Sequence, residues 1–194
     1  MTAGEAARLT ALRLVPVCGD DAHFEANCMV AALLGVSTGA LGLHRGMPLD
    51  ADALLTLEDW TERREKREPL QYILGEWEFC GFVIELNPAV LIPRPETEEL
   101  AMRAVELIRL NAYSTALDLC TGSGCIAVAV AKLTDAAVTA ADISADAVAT
   151  AAENARVNEV AVALRTGDLF SAVPGERFDL IVCNPPYLTG AEMD

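Results

Sequence analysis

The sequence predicts an α/β protein with a doubly wound parallel sheet, preceded by a small helical bundle and a β-hairpin. Three observations point to this class. Apolar residues have helical spacing up to about Leu74, and they alternate with polar residues between Gly75 and Leu91. From Thr115 onward, short apolar runs alternate with helical stretches. This last pattern is typical of a parallel sheet with right-handed crossovers.

Two segments of the predicted bundle have clear boundaries. The first ends at Gly35 and places five apolar residues on one predicted face: Phe24, Cys28, Met29, Ala32 and Leu33. The second begins at Asp50, a predicted N-cap, and places four apolar residues on one predicted face: Ala53, Leu54, Leu57 and Trp60. Residues 1–74 show no pattern of catalytic side chains, so we expect no catalytic role for them.

The spacing of apolar residues changes to that of strands after Gly75. Trp77 and Phe79 alternate with polar residues before Cys80-Gly81, and Phe82, Ile84 and Leu86 follow it, which predicts a β-hairpin. Asn87-Pro88 ends this hairpin. In the segment Ile92-Pro93-Arg94-Pro95-Glu96-Thr97-Glu98, the prolines favour extended backbone and then a helix that begins at Pro95.

Four short apolar runs predict the strands of the parallel sheet: Ala116 to Cys120, Ala137 to Ala141, Ala161 to Arg165 and Phe178 to Cys183. Helices are predicted between the first three, over Cys125 to Leu133 and Asp146 to Val157. A turn region, Gly167 to Arg177, precedes the fourth run. Because folds of this kind bind ligands at the carboxyl ends of their strands, those ends are the first places to look for a site.

The net charge of -15 argues against a nucleic-acid partner, because binding to a phosphate backbone relies on clustered Lys and Arg. A single basic run, Arg63 to Arg67, is interleaved with glutamates, and we interpret it as a solvated helical face. An acidic chain suits a basic protein partner.

The six cysteines include no Cys-x-x-Cys pair, and the two histidines lie near no cysteine cluster, so no metal site is expected. The amino terminus has no basic segment followed by an apolar one, and charged residues interrupt the alanine-rich stretches. We therefore expect a cytoplasmic protein without a membrane span, in a reducing compartment.

The first predicted strand ends in a glycine turn, Cys120-Thr121-Gly122-Ser123-Gly124, and a helix follows. Glycines there let a ligand approach the backbone, and exposed amides at the helix start can hold an anionic group. A carboxylate would serve as well as a phosphate. At this point an ordinary structural turn explains two glycines equally well.

Acidic residues follow the next two predicted strands. Asp142 lies about twenty residues beyond the glycine turn, where folds of this type place an acid that accepts ribose hydroxyls. Its alternative role, an N-cap, is better filled by Ser144. Asp168 follows the third strand and precedes Leu169, so these two residues could hold an adenine edge and ring.

The fourth strand delivers Asn184-Pro185-Pro186-Tyr187 at its carboxyl end. The nitrogen of a side-chain amide or of an exocyclic base amine is a weak nucleophile, so a group transfer to either needs acceptors that hold its hydrogens in place. The Asn184 side-chain oxygen and the carbonyl of Pro185 can supply them. The paired prolines stiffen the loop, and Tyr187 offers a flat surface for a planar group.

Together these motifs resemble the release-factor glutamine N5-methyltransferases, the HemK/PrmC family. The resemblance is carried by four segments: Pro69 to Gly75, Ile92 to Glu98, the glycine turn, and Asn184 to Tyr187. It implies a Rossmann-like class I methyltransferase sheet that methylates the glutamine of a Gly-Gly-Gln tripeptide in peptide chain release factors. The implied cofactor is S-adenosylmethionine, without a metal.

By resemblance, Cys120, Thr121, Gly122, Ser123 and Gly124 would bind this cofactor, as would Asp142, Asp168, Leu169 and Asn184. Catalysis would fall to Asn184, Pro185 and Tyr187, and the substrate amide would lie against these residues and Pro186. Residues 1–74 would recognise the substrate, 75–92 would form a hairpin linker, and 93–194 would bind the cofactor. We expect a monomer whose partners are release factors.

Two features depart from the family pattern. Cys120 stands where many relatives have Gly, and the chain stops seven residues after Tyr187, so we expect a truncated chain with an incomplete sheet. Three alternatives remain open: a glutamine methyltransferase for another protein, such as a ribosomal protein; a DNA adenine methyltransferase; and an inactive fragment that binds the cofactor.

Overall fold

The computed structural model describes residues 1–186 of the chain. Two units are distinguished by their internal contacts, Met1–Gly75 and Glu76–Asp194. The helices of the first unit are α1 (Ala3–Cys18), α2 (Ala22–Leu34), α3 (Leu41–His44), α4 (Ala51–Glu65) and α5 (Leu70–Leu74).

Local signals in the sequence set the helix boundaries of the first unit. Thr2 and Glu5 form a capping box at the start of α1, and Gly35 ends α2 in the left-handed conformation. The Asp50 side chain accepts a hydrogen bond from the amide of Ala53, which confirms the predicted N-cap of α4.

The predicted buried face of α2 is wrong in part. Phe24 is 53% exposed and Ala32 is exposed, whereas Ala22, Ala26 and Met29 are fully buried. Helix α1 buries a matching row of alanines: Ala3, Ala6, Ala7 and Ala11. Small side chains let neighbouring helices approach closely, which favours alanines over the larger Phe24 at the buried positions of α1 and α2.

The basic run of α4 is only partly a solvated face. Lys66 is 76% exposed in its side chain, as expected for such a face. Arg64, however, is 16% exposed and pairs with Glu25 of α2 at 2.6 Å. Hydrogen bonding to Glu25 raises the pKa of Arg64 further above its usual value. The interpretation was wrong for Arg64, which ties α4 to α2.

Within residues 1–186, no single helix has both the length and the hydropathy of a membrane span. One bent combination, Ala3–Leu34 with Thr38–His44, meets the length and composition criteria only when its two parts are taken together.

The second unit opens with the predicted hairpin, formed by β1 (Glu76–Phe79) and β2 (Phe82–Glu85). Trp77 pairs with Ile84 and Phe79 with Phe82, so the apolar side chains alternate along both strands as expected. Helix α6 (Pro95–Asn111) has Pro95 in its first turn, with Glu96 and Glu98 at its positive end.

The parallel sheet confirms the predicted α/β class. Its strands and helices in chain order are β3 (Thr115–Leu119), α7 (Cys125–Leu133), β4 (Ala137–Asp142), α8 (Ala145–Val157), β5 (Val162–Thr166) and β6 (Leu180–Cys183). A 3₁₀ turn, Leu169–Ala172, lies between β5 and β6. The spatial order of the strands is β5-β4-β3-β6, and all neighbouring pairs are parallel.

This strand order creates a switch point between β3 and β6. From β3 the chain moves outward through β4 to β5 and then returns to pair β6 with the other side of β3. In open parallel sheets, ligands bind in the crevice at the carboxyl ends of the strands beside such a switch point. Leu117, Leu119, Ala141 and Val173 form a buried core cluster beneath this edge, with Ala172 and Phe178 packed against it.

Candidate functional site

The crevice between β3 and β6 brings two of the predicted loops together. Leu119 is the strand partner of Cys183, so the glycine turn and the Asn184 loop leave neighbouring positions at the same edge. Gly167 donates a backbone hydrogen bond to the carbonyl of Asp142, which joins the end of β5 to that of β4. All four predicted strand ends thus lie along one edge of the sheet.

The glycine turn has the backbone conformation that its glycines predict. Gly122 has φ +54° and Gly124 has φ +78°, both in the left-handed region. A Cβ added at Gly124 would lie 2.8 Å from the Cβ of Ala151, so this glycine allows α8 to pack against the turn. A Cβ at Gly122 would meet no atom within 4 Å, so the space beside this residue is open.

The Asp118 side chain supports the glycine turn through two hydrogen bonds. Its Oδ2 accepts hydrogen bonds from the Thr121 hydroxyl at 2.6 Å and from the Ala127 amide at 3.2 Å, across the start of α7. Its Oδ1 is buried without a hydrogen-bond partner in the described part of the chain. Burial raises the pKa of this carboxyl group to about 7.

Asp142 links the second strand end to the glycine turn. Its Oδ2 accepts from the Gly122 amide at 2.9 Å, and its Oδ1 accepts from the Ser144 amide at 3.0 Å. Ser144 caps α8 through its hydroxyl, as the sequence predicted, by accepting from the Ala147 amide. The Asp142 carboxylate is therefore held in place directly beside the turn.

Asp168 and Leu169 lie at the third strand end, and both are exposed to solvent. Asp168 is exposed and its side chain caps no amide of the 3₁₀ turn. Leu169 has φ +46°, a left-handed conformation that is uncommon for a leucine, and is 47% exposed. The loop thus presents an apolar side chain to solvent.

Asn184 is anchored by a residue that the sequence reasoning did not select. Its Nδ2 donates a hydrogen bond to Oγ1 of Thr97 at 3.1 Å. Thr97 is buried in the first turn of α6, two residues after Pro95. Pro185 and Pro186 are exposed, and Tyr187 lies outside the described residues. The available sequence signal was a threonine between Glu96 and Glu98 in the first turn of the predicted helix.

Asn154 is a second residue that sequence reasoning missed. It is fully buried, accepts from the Glu85 amide at 2.7 Å, and donates to the carbonyls of Glu85 at 3.0 Å and Ser123 at 2.8 Å. It therefore joins the hairpin to the glycine turn. The hairpin is also held by Glu98, whose Oε1 accepts from the Cys80 amide. An asparagine on the apolar side of α8 was the only sequence signal.

Within residues 1–186, no group of three or more His, Cys, Asp and Glu side chains is arranged to hold a metal ion.

Two known protein families match the two parts of the chain. Residues 101–194 match the methyltransferase small domain, and residues 5–75 match the PrmC N-terminal domain. Among solved structures, the 16S rRNA N2 G1207 methyltransferase of T. thermophilus superposes with a TM-score of 0.52 at 23% identity, over 59% of this chain and 33% of that one. This likeness shows a methyltransferase type of fold.

Curated relatives define the family more closely. The release factor glutamine methyltransferase of Cereibacter sphaeroides is 39% identical over 196 residues, which cover 100% of this chain and 69% of the relative. The enzyme of that name from Geobacter sulfurreducens is 41% identical over 90% of this chain and 61% of its own length. The chain belongs to the release factor glutamine methyltransferase family. It spans 53% to 69% of the length of its relatives from Koribacter versatilis, Geobacter and Cereibacter.

Proposed function

We propose that this protein uses S-adenosylmethionine to methylate the N5 side-chain nitrogen of the glutamine in the Gly-Gly-Gln tripeptide of peptide chain release factors. One observation carries the proposal: the Asn184 loop and the glycine turn adjoin at the switch point of the sheet. Family membership supports the choice of glutamine.

The residues around the glycine turn fit S-adenosylmethionine. The space beside Gly122 is open, which suits a ligand that approaches the backbone closely. The Asp142 carboxylate accepts one hydrogen bond at each oxygen from the backbone. Because a carboxylate has about four acceptor positions, it retains capacity for ribose hydroxyls. Asp168 and Leu169 are assigned to the adenine, and the turn from Cys120 to Gly124 to the methionine end.

S-adenosylmethionine supplies an electrophilic methyl group on its sulfonium sulfur. The protein must hold the glutamine amide nitrogen in line with that methyl and accept hydrogen bonds from its hydrogens as positive charge develops. Oδ1 of Asn184 and the carbonyl of Pro185 are the assigned acceptors. Nδ2 of Asn184 donates to Thr97, and this contact favours the amide orientation in which Oδ1 serves as the acceptor for the substrate.

The loop that follows Asn184 completes the substrate site. Pro185 and Pro186 restrict the backbone and remove two amide donors that would compete for the acceptors. Tyr187 is assigned to stack on the planar glutamine amide.

The remaining assignments belong to the same proposal. Residues 1–74 recognise the release factor, 75–92 form the hairpin linker and 93–194 bind the cofactor. The protein acts as a cytoplasmic monomer, without a metal, a nucleic-acid partner or a membrane.

The test is methylation of an unmethylated release factor. The chain, and a version extended to the full length of its relatives, are incubated with S-adenosylmethionine and the release factor, and peptides are sequenced by mass spectrometry. A methyl group on the Gly-Gly-Gln glutamine is expected, and none on a release factor that carries Gly-Gly-Ala. Methylated adenine in added DNA with an unchanged release factor would contradict the proposal.

The variant Asn184→Ala separates catalysis from folding. We expect it to lose methyl transfer while it retains most of its affinity for S-adenosylmethionine in calorimetry. Equal losses of affinity and of rate would instead indicate that Asn184 only supports the fold.

A further inference from the structure

Two cysteines lie together at the switch point. Cys183 ends β6 and is the strand partner of Leu119, and Cys120 directly follows Leu119. Neighbouring strands are about 4.8 Å apart and consecutive Cα atoms about 3.8 Å apart, so the Cα atoms of Cys120 and Cys183 are separated by roughly 6 Å. This separation lies within the range that a disulfide bridges.

The surroundings of the two thiols differ. Cys183 is exposed, whereas Cys120 is partly buried. Burial raises the pKa of Cys120 to about 11, and the neighbouring Cys183 thiol adds to that rise. Cys183 is therefore the thiol that a small oxidant in solution reaches, and Cys120 is the neighbour placed to resolve its oxidised form.

The other four cysteines lie elsewhere. Cys28 and Cys125 are buried, and Cys18 donates a hydrogen bond to Glu25. Cys80 lies in the turn of the hairpin and is close enough to affect the pKa of Cys125, but Cys125 is buried. The pair at β3 and β6 is the one that combines strand neighbours with an exposed thiol.

We propose that Cys120 and Cys183 are an oxidisable dithiol, a modification site that peroxide converts into an intramolecular disulfide. The Cys183 sulfur attacks a peroxide oxygen, the O–O bond breaks, and a sulfenic acid and one water form. The Cys120 sulfur then attacks the sulfenic sulfur, the S–O bond breaks, and a second water leaves as the S–S bond forms. Two thiols lose two electrons and two protons, and one hydrogen peroxide becomes two waters.

The disulfide has a consequence that rests on the proposed function. It ties the first residue of the glycine turn to the residue before Asn184 and draws the two sides of the crevice together. Oxidation is therefore expected to weaken S-adenosylmethionine binding at least about tenfold, which corresponds to about 1.4 kcal/mol, and reduction to restore it.

The experiment is peroxide treatment of the full 194-residue chain, followed by alkylation of the remaining thiols and tryptic mass spectrometry. Cleavage after Arg109, Lys132 and Arg177 places Cys120 and Cys183 on different peptides. We expect these peptides to be cross-linked, with the loss of two hydrogen atoms, and fragmentation to assign the link to Cys120 rather than Cys125. Calorimetry of the oxidised and re-reduced chain then measures S-adenosylmethionine binding.

Cys80→Ser is the matched control, because Cys80 is also partly buried and burial raises its pKa to about 11. It should form the cross-link as the parent chain does, whereas Cys183→Ser and Cys120→Ser should not. Both thiols remaining free for alkylation, or a link from Cys80 to Cys125, would overturn the assignment.

A cross-link that leaves the affinity for S-adenosylmethionine within about twofold would overturn the proposed consequence. If the reduced chain leaves the release factor unmethylated while the cross-link still forms, the proposed function is contradicted and the dithiol is supported.

Discussion

The Nδ2 of Asn184 donates a hydrogen bond to the hydroxyl oxygen of Thr97 over 3.1 Å, between residues 87 positions apart in the sequence. This contact joins the first turn of α6 to the loop that leaves β6. The proline-rich segment leads into the first turn of α6 and so places Thr97 beside the amide of Asn184.

Replacing Thr97 by valine should slow methyl transfer without a matching loss of cofactor affinity. Valine keeps the shape of threonine but removes the acceptor, so the Asn184 amide loses the contact to α6 that orients it. A net hydrogen bond contributes about 0.5–1.5 kcal/mol, which predicts a fall in kcat of about 2- to 13-fold. Thr97→Ser keeps the hydroxyl and should stay near the parent rate. An unchanged kcat in the valine variant, with its fold intact by circular dichroism, would show that Thr97 does not position Asn184.

Replacing Asp142 by alanine should weaken S-adenosylmethionine binding by about 1–3 kcal/mol, roughly 5- to 150-fold in Kd. The carboxylate holds the Gly122 amide in addition to its assigned ribose contact, so the melting temperature should fall as well. Asp146→Ala is the matched control, since Asp146 is an exposed acid in the first turn of the helix that follows. If calorimetry gave the same affinity for both variants, the ribose assignment would be wrong.

Replacing Asn154 by alanine should destabilise the second unit strongly. The change leaves the amide and carbonyl of Glu85 and the carbonyl of Ser123 without their side-chain partner, which is fully buried. We expect the free energy of unfolding to fall on the order of 3 kcal/mol, measured in urea.

Asn158→Ala provides the comparison for Asn154, because Asn158 lies one turn later on α8 and donates to the Val83 carbonyl in an exposed position. The Asn158→Ala change should lower the free energy of unfolding by about 1 kcal/mol or less. Similar losses in the two variants would mean that burial of Asn154 is not what makes its contacts important.

Replacing Asp118 by asparagine should change how stability depends on pH. Burial raises the pKa of Asp118 to about 7, well above the value of about 3.9 in an unfolded chain. Between these two values the folded protein retains a proton that the unfolded chain has released. The free energy of unfolding of the parent therefore decreases as pH rises from about 4 to 7. The asparagine variant lacks this decrease, so its stability relative to the parent should rise over the same interval.

Asp179→Asn tests a pH dependence of stability that is opposite to that of Asp118. Hydrogen bonds from the amides and hydroxyls of Ser114 and Thr115 lower the pKa of Asp179, so its contribution is present at neutral pH and is lost as pH falls through the folded-state pKa. This variant should be less stable than the parent at pH 7, with the difference shrinking in acid. Urea unfolding at several pH values measures both effects, and parallel pH profiles for the two variants would contradict them.

The order and type of the elements follow from the sequence alone. The predicted bounds of helix α7 match the structure, and those of strands β3 to β6 agree within about two residues at each end. These bounds depend on the spacing of apolar residues and on turn residues, which are local properties of the sequence. The Asp50 cap, the Ser144 cap and the glycine turn are of the same local kind. So is the appearance of Asn184 directly after a strand.

The tertiary structure decided which of these pieces meet. Nothing local places β6 beside β3 rather than beside β5, yet this choice creates the crevice and makes neighbours of Cys120 and Cys183. The partners of Asn184 and Asn154 are likewise distant in the chain, and α2 buries a face that differs in part from the one its apolar spacing predicts. Periodicity indicates which side of an element is apolar. Contacts between distant residues depend instead on how whole elements pack. For this reason the hydrogen bonds of Thr97 and Asn154 could be identified only in the folded chain.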